Sequence, residues 1–442
     1  MTSSSNKSFG NSIKANDRLC AVVPGGAHTY AKGEDQYPAE MAPVISHGLG
    51  SHVWDVDGNE YVEFGAGLRA VSLGHAHPQV LEAVHRELGR GNNFVRPSIV
   101  ELEAAERFLE SVPTAEMVKF TKNGSDATTA AVKLARAVTG RPLVALCADH
   151  AFFSIDDWFI ARTPMSAGIP DQIAELTVAF PYGDLAATEQ LLTRYEGQIA
   201  CLILEPATQQ DPPAGYLEGL RDLAHRHGAV LIFDETITGF RFSAAGAQGL
   251  YGVTPDLSTF GKALGNGFAV SALAGKRELM EHGGLRHDHE RVFLLSTTHG
   301  AETHALAAAI AVMDIYATEG IVDRLHALGN KLATGVREAA VSAGVEDHVV
   351  VRGRASNLVF ATLDDNLEPS QPYRTLFLRE LILGGVIGPS FVVSAALTDA
   401  DIARTVDVVG QACVVYRKAL DGGDPSPFTG GRPVKPVFRR YA

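Results

Sequence analysis

This sequence predicts an α/β fold: a large domain around a mostly parallel sheet, with a smaller α+β domain built from both ends of the chain. Three observations carry that prediction. First, ACLILEP (200–206) and AVLIFDE (229–235) are apolar almost throughout and flank the helix-periodic LEGLRDLAHRHG. This is a β-α-β unit whose strands are covered on both faces. Second, a similar pattern runs from EMVKFTK (116–122) through DATTAAVKLARAVTG to RPLVALCADH. Third, both ends of the chain read differently from this middle.

Near the N-terminus, GSHVWDVDGNEYVEF alternates apolar residues around Asp57-Gly58, the signature of a hairpin. After a long helical stretch at 301–344 come the short strands HVVVRGR and NLVFATL, then the helices RTLFLRELILGG and TDADIARTVDVVGQACVVYRKAL. The tail SPFTGGRPVKPVFRRYA is rich in Pro, Gly and basic residues and reads as an extended packing segment. The expected division is 1–65 as part of the small domain, 66–325 as the large domain and 326–442 as the rest of the small one. No internal repeat is visible.

Composition narrows the function classes. The 442 residues are 46% hydrophobic and 20% charged, with a formal net charge of −13. Such a surface is a poor partner for nucleic acid or an anionic membrane, since both need basic patches. The four cysteines (Cys20, Cys147, Cys201, Cys413) are scattered, which fits reduced thiols of a cytoplasmic protein. The opening MTSSSNKSFGNS lacks an apolar core and so does not read as a secretory signal. The longest apolar run, near 305–313, is far too short to span a bilayer. Histidine pairs such as His75/His77, His225/His227 and His287/His289 lack further ligands at metal-site spacing, so no metal site is expected.

In open parallel sheets, ligands sit beyond the carboxyl ends of strands. Asp234, Glu205 and the NGSDA turn all occupy such ends. Gly124 and Ser125 lie between a strand and a helix, where free N–H groups favour an anion such as phosphate; read alone, that turn is first an ordinary N-cap. Asp126 reads mainly as a helix-start acid. Lys262 stands in a glycine-bounded turn after a short apolar strand; isolated, it would be a surface lysine, and shielded from water it is a Schiff-base nucleophile. The set changes the odds: an anion turn, a strand-end Asp, and a Gly-flanked Lys 28 residues further on. Pyridoxal 5'-phosphate (PLP) requires such a set, namely donors for its phosphate, an amine for its aldehyde and an anion for its ring nitrogen.

These residues sit in a longer series of motifs: VPGG (23–26), VWDVDGNEYVEF (53–64), LGHAHP (73–78), NGSDA (123–127), EP (205–206), FDETITGFR (233–241), GVTPDLSTFGKALGNG (252–267) and STTHG (296–300). On them, the chain resembles the class III (fold type I) PLP-dependent aminotransferases, particularly the glutamate-1-semialdehyde 2,1-aminomutase branch. The resemblance implies that Lys262 forms the Schiff base with the cofactor and later shuttles the proton between the substrate Cα and the cofactor's C4'. It implies that Asp234 pairs with the ring nitrogen, that Gly124 and Ser125 hold the phosphate, and that Phe152 stacks on the ring. Phe152 also reads as a plain core aromatic. Glu205 is implied near the cofactor's oxygen side or Lys262, or else as a structural strand-end acid. Thr297 is implied to reach the phosphate from a neighbouring subunit, making a homodimer with shared active sites.

The sequence also departs from the aminomutase. The family's substrate-carboxylate arginine follows PGG, but here the loop reads AHTYAKGEDQYP, without arginine. The segment PSFVVSAALTDADI lacks the glutamate found there in the aminomutase. The expected reaction is therefore transfer from a small-molecule amino donor to an aldehyde or ketone acceptor, with intramolecular aminomutase chemistry as the alternative. The HTYAKGEDQYP loop, DDWF and GRPVKPVFRRY are similar to a sub-branch linked with surface-polysaccharide or secondary-metabolite pathways. Tyr30, Lys32, Arg69 and Arg96 offer hydroxyl and cationic groups for a sugar-like or carboxylated acceptor.

Overall fold

The structure is a computed structural model describing residues 7–150 and 152–441. The chain forms two compact units, one from the N-terminal residues through Ala66 with Ser72–His77 and Asp323 onward, the other from Gly67–Val71 and Pro78–Val322.

In the first unit, β1 (Ile45–Leu49), β2 (His52–Asp55) and β3 (Glu60–Glu63) form an antiparallel meander. The β2–β3 turn closes because Asp55 Oδ1 accepts from the amides of Asp57 (3.0 Å) and Asn59 (2.8 Å), while Gly58 takes a φ of +84°. The expected hairpin is therefore present.

The second unit holds seven strands: β4 (Met117–Thr121), β5 (Leu143–Cys147), β6 (Thr177–Phe180), β7 (Ile199–Leu204), β8 (Val230–Asp234), β9 (Leu257–Phe260) and β10 (Ser271–Gly275). Their order is β4-β10-β9-β8-β7-β5-β6, all parallel except β10, which is antiparallel to both neighbours. β7 and β8 are buried at every residue, as strands covered on both faces must be. They pair directly around the helix Tyr216–Arg226, as read from the sequence. The earlier strand–helix–strand pattern resolves differently. β4 and β5 are not neighbours, because β10, β9, β8 and β7 lie between them. Local periodicity shows that a helix connects two strands but not which strands pair, since pairing depends on partners far along the chain.

The connecting helix Gly124–Thr139 buries Ala127, Ala130, Ala131, Leu134 and Ala135. Small residues along that face let it approach the sheet closely, and each large apolar side chain buried there contributes about 1.5–3 kcal/mol. The consequence for the site is that β4, β5, β7, β8 and β9 all deliver their carboxyl ends to one edge, where β10 begins at Ser271.

In the first unit, β11 (Val349–Arg352) and β12 (Val359–Thr362) form an antiparallel pair, and β13 (Val386–Ile387) adds to β3 in parallel, joining both ends of the chain in one sheet. The tail docks through Val434, whose amide donates to Thr375 Oγ1 at 2.8 Å. No single helix among the described residues is long and apolar enough to cross a membrane.

Candidate active site

At that edge lies a cavity of about 440 Å³. Lys262, Asp234, Glu205, Gly124, Ser125 and Phe152 all line it, although they come from five separate stretches of sequence. Lys122 and Thr236 line it as well; sequence reasoning singled out neither.

Asp234 ends β8 and is 5% exposed. Its Oδ1 accepts from the Thr236 amide at 3.0 Å and from Thr259 Oγ1 at 2.9 Å. Burial raises its pKa, opposed by these hydrogen bonds and by the charge of Lys262. Glu235 goes elsewhere: its carboxylate accepts from the amides of Ala247 and Gln248, each at 2.7 Å, and from the Thr238 hydroxyl. It caps the short helix Gly246–Tyr251 from within the core, and burial pushes its pKa up to about 7. Gly246 has no room for a Cβ, which would collide with that carboxylate.

Lys262 follows β9 and Gly261 with a φ of +46°, a left-handed conformation that a lysine adopts only when its surroundings enforce it. Burial lowers its pKa; Asp234 and Glu205 oppose the shift, while Arg69 and Arg241 add to it. An amine held this way is easier to deprotonate than an ordinary lysine, which is what attack on a carbonyl requires.

The turn after β4 is a capping box. Asn123 Oδ1 accepts from the Asp126 amide at 3.0 Å, and Asp126 Oδ2 accepts from the Asn123 amide at 3.3 Å and from Thr121 Oγ1 at 2.7 Å. Asp126 is thus the helix-start acid anticipated. Gly124 and Ser125 are the first two helical residues, whose amides have no intrahelical acceptor. A Cβ on Gly124 would sit 3.1 Å from Thr236 Cγ2, so glycine keeps the cradle open. Thr236 Oγ1 is buried without a hydrogen-bond partner. Ser125 Oγ accepts from the Ile155 amide at 3.1 Å, tying the cradle to the segment carrying Phe152. Phe152 is 43% exposed and borders the cavity, so it is not the core aromatic of the alternative reading; Phe153 fills the core instead.

Glu205 follows β7, and its amide donates to His150 Nδ1 at 3.0 Å. Burial raises its pKa, and nearby Asp234 adds to the shift while Lys262 and Arg69 reduce it. Arg69 belongs to a left-handed turn with φ of +60° at Leu68 and +73° at Arg69. That turn is held by the fully buried Arg241, whose Nη2 donates to the Arg69 carbonyl at 3.2 Å.

Thr297 is exposed, in a turn closed by the Gly300 amide on its carbonyl at 3.2 Å, and does not line the cavity. Arg96 is exposed on the loop before the helix Ile99–Ser111. Tyr30 and Lys32 stand exposed on a 3-10 turn of the other unit.

A predominantly parallel seven-stranded sheet, with a buried Lys and Asp at its carboxyl edge beside an open helix N-terminus, defines a fold type I PLP-dependent transferase. The family model for class III aminotransferases matches residues 32–368, and the chain belongs to that family. It is 33% identical over 427 residues to glutamate-1-semialdehyde 2,1-aminomutase of Natranaerobius thermophilus, covering 91% of this chain and 98% of the relative. Among solved structures it resembles an omega-transaminase from Sphaerobacter thermophilus (TM-score 0.83, 28% identity, 92% and 97% of the two chains covered). It also resembles a transaminase with PLP bound (TM-score 0.85, 26% identity, 94% and 99% covered). The chain is a PLP-dependent enzyme, and the residues around the cavity fit the group: an open N–H cradle, an orphaned hydroxyl, a buried amine and a buried carboxylate.

Proposed function

We propose that the enzyme transfers an amino group from a small-molecule donor to an aldehyde or ketone acceptor other than glutamate semialdehyde, using Lys262 and Asp234. The observation that carries the site assignment is that these two side chains line one cavity and act on each other electrostatically there.

When bound, PLP supplies an electron sink that lets the amino group and the Cα proton of a substrate be exchanged. The chain's own residues do the rest. Lys262 Nζ would hold the cofactor at its aldehyde carbon and, once freed by substrate, would carry the proton from the substrate Cα to the cofactor's C4'. Asp234, its carboxylate oriented by Thr236 and Thr259, would keep the ring nitrogen protonated. Gly124 and Ser125 would receive the phosphate, and Phe152, at the cavity border, would cover the ring and exclude water. Glu205 would contact the cofactor's oxygen side or act through Lys262, with which it interacts in the cavity.

The choice of acceptor is supported by the loop AHTYAKGEDQYP, which lacks the arginine that the aminomutase uses for its substrate carboxylate. Tyr30, Lys32, Arg69 and Arg96 are the proposed recognition groups for a carboxylated or sugar-like acceptor. We place the enzyme in the cytoplasm, in line with its free cysteines, and as a homodimer in which Thr297 reaches the partner's phosphate site. The opposing reading, an aminomutase, draws on the 33% identity to that enzyme. Turnover separates the two: with glutamate 1-semialdehyde alone a mutase proceeds, whereas the proposed enzyme turns over only when a separate donor and acceptor are both supplied. Sustained single-substrate turnover overturns the proposal.

A further inference from the structure

Among the described residues, four charged side chains line the cavity: Lys122, Glu205, Asp234 and Lys262. Three have roles above. Lys122 has none, yet it directly precedes the N-cap Asn123 of the helix whose first amides form the cradle. Its Nζ lies 2.7 Å from Glu302 Oε2, with both side chains 21% exposed. The same carboxylate lies 3.4 Å from His299 Nδ1, and this contact with Lys122 holds Glu302 below the usual carboxylate range.

The charge balance of the cavity gives Lys122 something to do. A phosphate monoester carries nearly two negative charges at neutral pH, whereas a helix N-terminus offers about half a positive charge. The lining already contains two carboxylates, and Lys262 is committed to the aldehyde. Among the described residues, Lys122 is thus the one lining cation left to offset the phosphate. An ammonium has three donors, so one can stay on Glu302 while the others turn into the cavity. The unpartnered Thr236 hydroxyl, buried beside Gly124, is a further donor on the same side.

We propose that Lys122 is a cationic contact for the cofactor phosphate, held in position by Glu302. The proposal rests on the phosphate placement at Gly124 and Ser125 given above. Nothing in it requires Lys122 in the chemistry itself, so Lys122 is a binding residue and Glu302 a positioning residue.

The test is cofactor affinity, read by absorbance as full-length enzyme is stripped of cofactor and retitrated with PLP or with unphosphorylated pyridoxal. K122M is expected to weaken PLP about tenfold to a hundredfold, the scale of one charge-assisted contact, and to leave pyridoxal unchanged. K122R should stay within a few-fold of wild type, and E302Q should weaken PLP by less than K122M does. Inorganic phosphate should compete with PLP in wild type and compete less well in K122M. The proposal is overturned if K122M binds PLP within twofold of wild type, or loses PLP and pyridoxal equally. It is also overturned if K122M keeps its PLP affinity but raises KM for a carboxylated substrate, which would make Lys122 a substrate contact. Should K122M not fold, K122Q takes its place under the same criteria. If wild type binds PLP no better than pyridoxal, the phosphate placement itself fails, and the role of Lys122 falls with it.

Discussion

Asp234 and Glu235 are adjacent in sequence, and their carboxylates end in different environments. Asp234 lines the cavity beside Lys262, whereas Glu235 turns into the core and receives two backbone amides of the helix Gly246–Tyr251. A strand end delivers consecutive side chains to opposite sides, so one acid serves the site and the next secures the loop behind it.

Replacing Asp234 with Asn keeps the shape but removes the charge. PLP should remain bound while kcat falls on the order of a thousandfold, the scale seen when a preorganised electrostatic contact is lost. A rate within tenfold of wild type would count against pairing with the ring nitrogen.

Lys262→Ala should abolish the borohydride-reducible adduct with PLP, followed by mass spectrometry of the intact chain, while leaving the folded circular-dichroism spectrum unchanged. A retained adduct at the same site would place the reactive amine elsewhere.

The amine's ionisation is also open to measurement. Burial lowers the pKa of Lys262, so the rate of adduct formation with added PLP should reach its plateau below the ordinary lysine value of about 10.4. Asp234 raises that pKa, so in Asp234→Asn the midpoint should move further down. An unmoved midpoint would show that the two groups do not interact.

Glu235 should govern stability. Glu235→Ala leaves the Ala247 and Gln248 amides without their acceptor, a loss of about 3 kcal/mol or more by urea unfolding. The pH dependence has a defined sign. The folded-state pKa of about 7 lies above the unfolded value, so between the two the folded state binds more protons. The stability contributed by this group is therefore full below the unfolded pKa of about 4.3 and declines as pH rises towards 7. Glu235→Gln should lack that component, so its stability should fall less than that of wild type between about pH 5 and about pH 7.5. Parallel profiles for the two proteins would contradict the raised pKa.

Thr297→Ala should weaken PLP retention during dialysis. If Thr297 serves the neighbouring subunit, mixing it with Lys262→Ala should restore one intact site per mixed dimer and hence part of the activity. Absence of recovery in verified mixed dimers would assign Thr297 to its own subunit.

Much of this was legible from the sequence. The buried strands 199–204 and 230–234, the turn at Asp57-Gly58 and the helix after NGSDA follow from periodicity and turn chemistry, because those signals are local. Lys262, Asp234 and the anion turn could be grouped because their chemistries complement one another. The role of Glu235 was not legible: its partners lie 12 and 13 residues on, in a helix of only 6 residues that no pattern announces.

The sequence by itself therefore determined the class of chemistry, through residue types that a single cofactor needs, and the layered α/β architecture, through the apolar runs. Tertiary structure alone decided three things: that β4 lies at the sheet edge beside an antiparallel strand, that Phe152 borders the cavity while Phe153 fills the core, and that Lys122 meets Glu302 across 180 residues. Periodicity reports which face of an element is apolar, but which distant groups share a cavity is settled by strand order and packing, where every candidate partner competes at once.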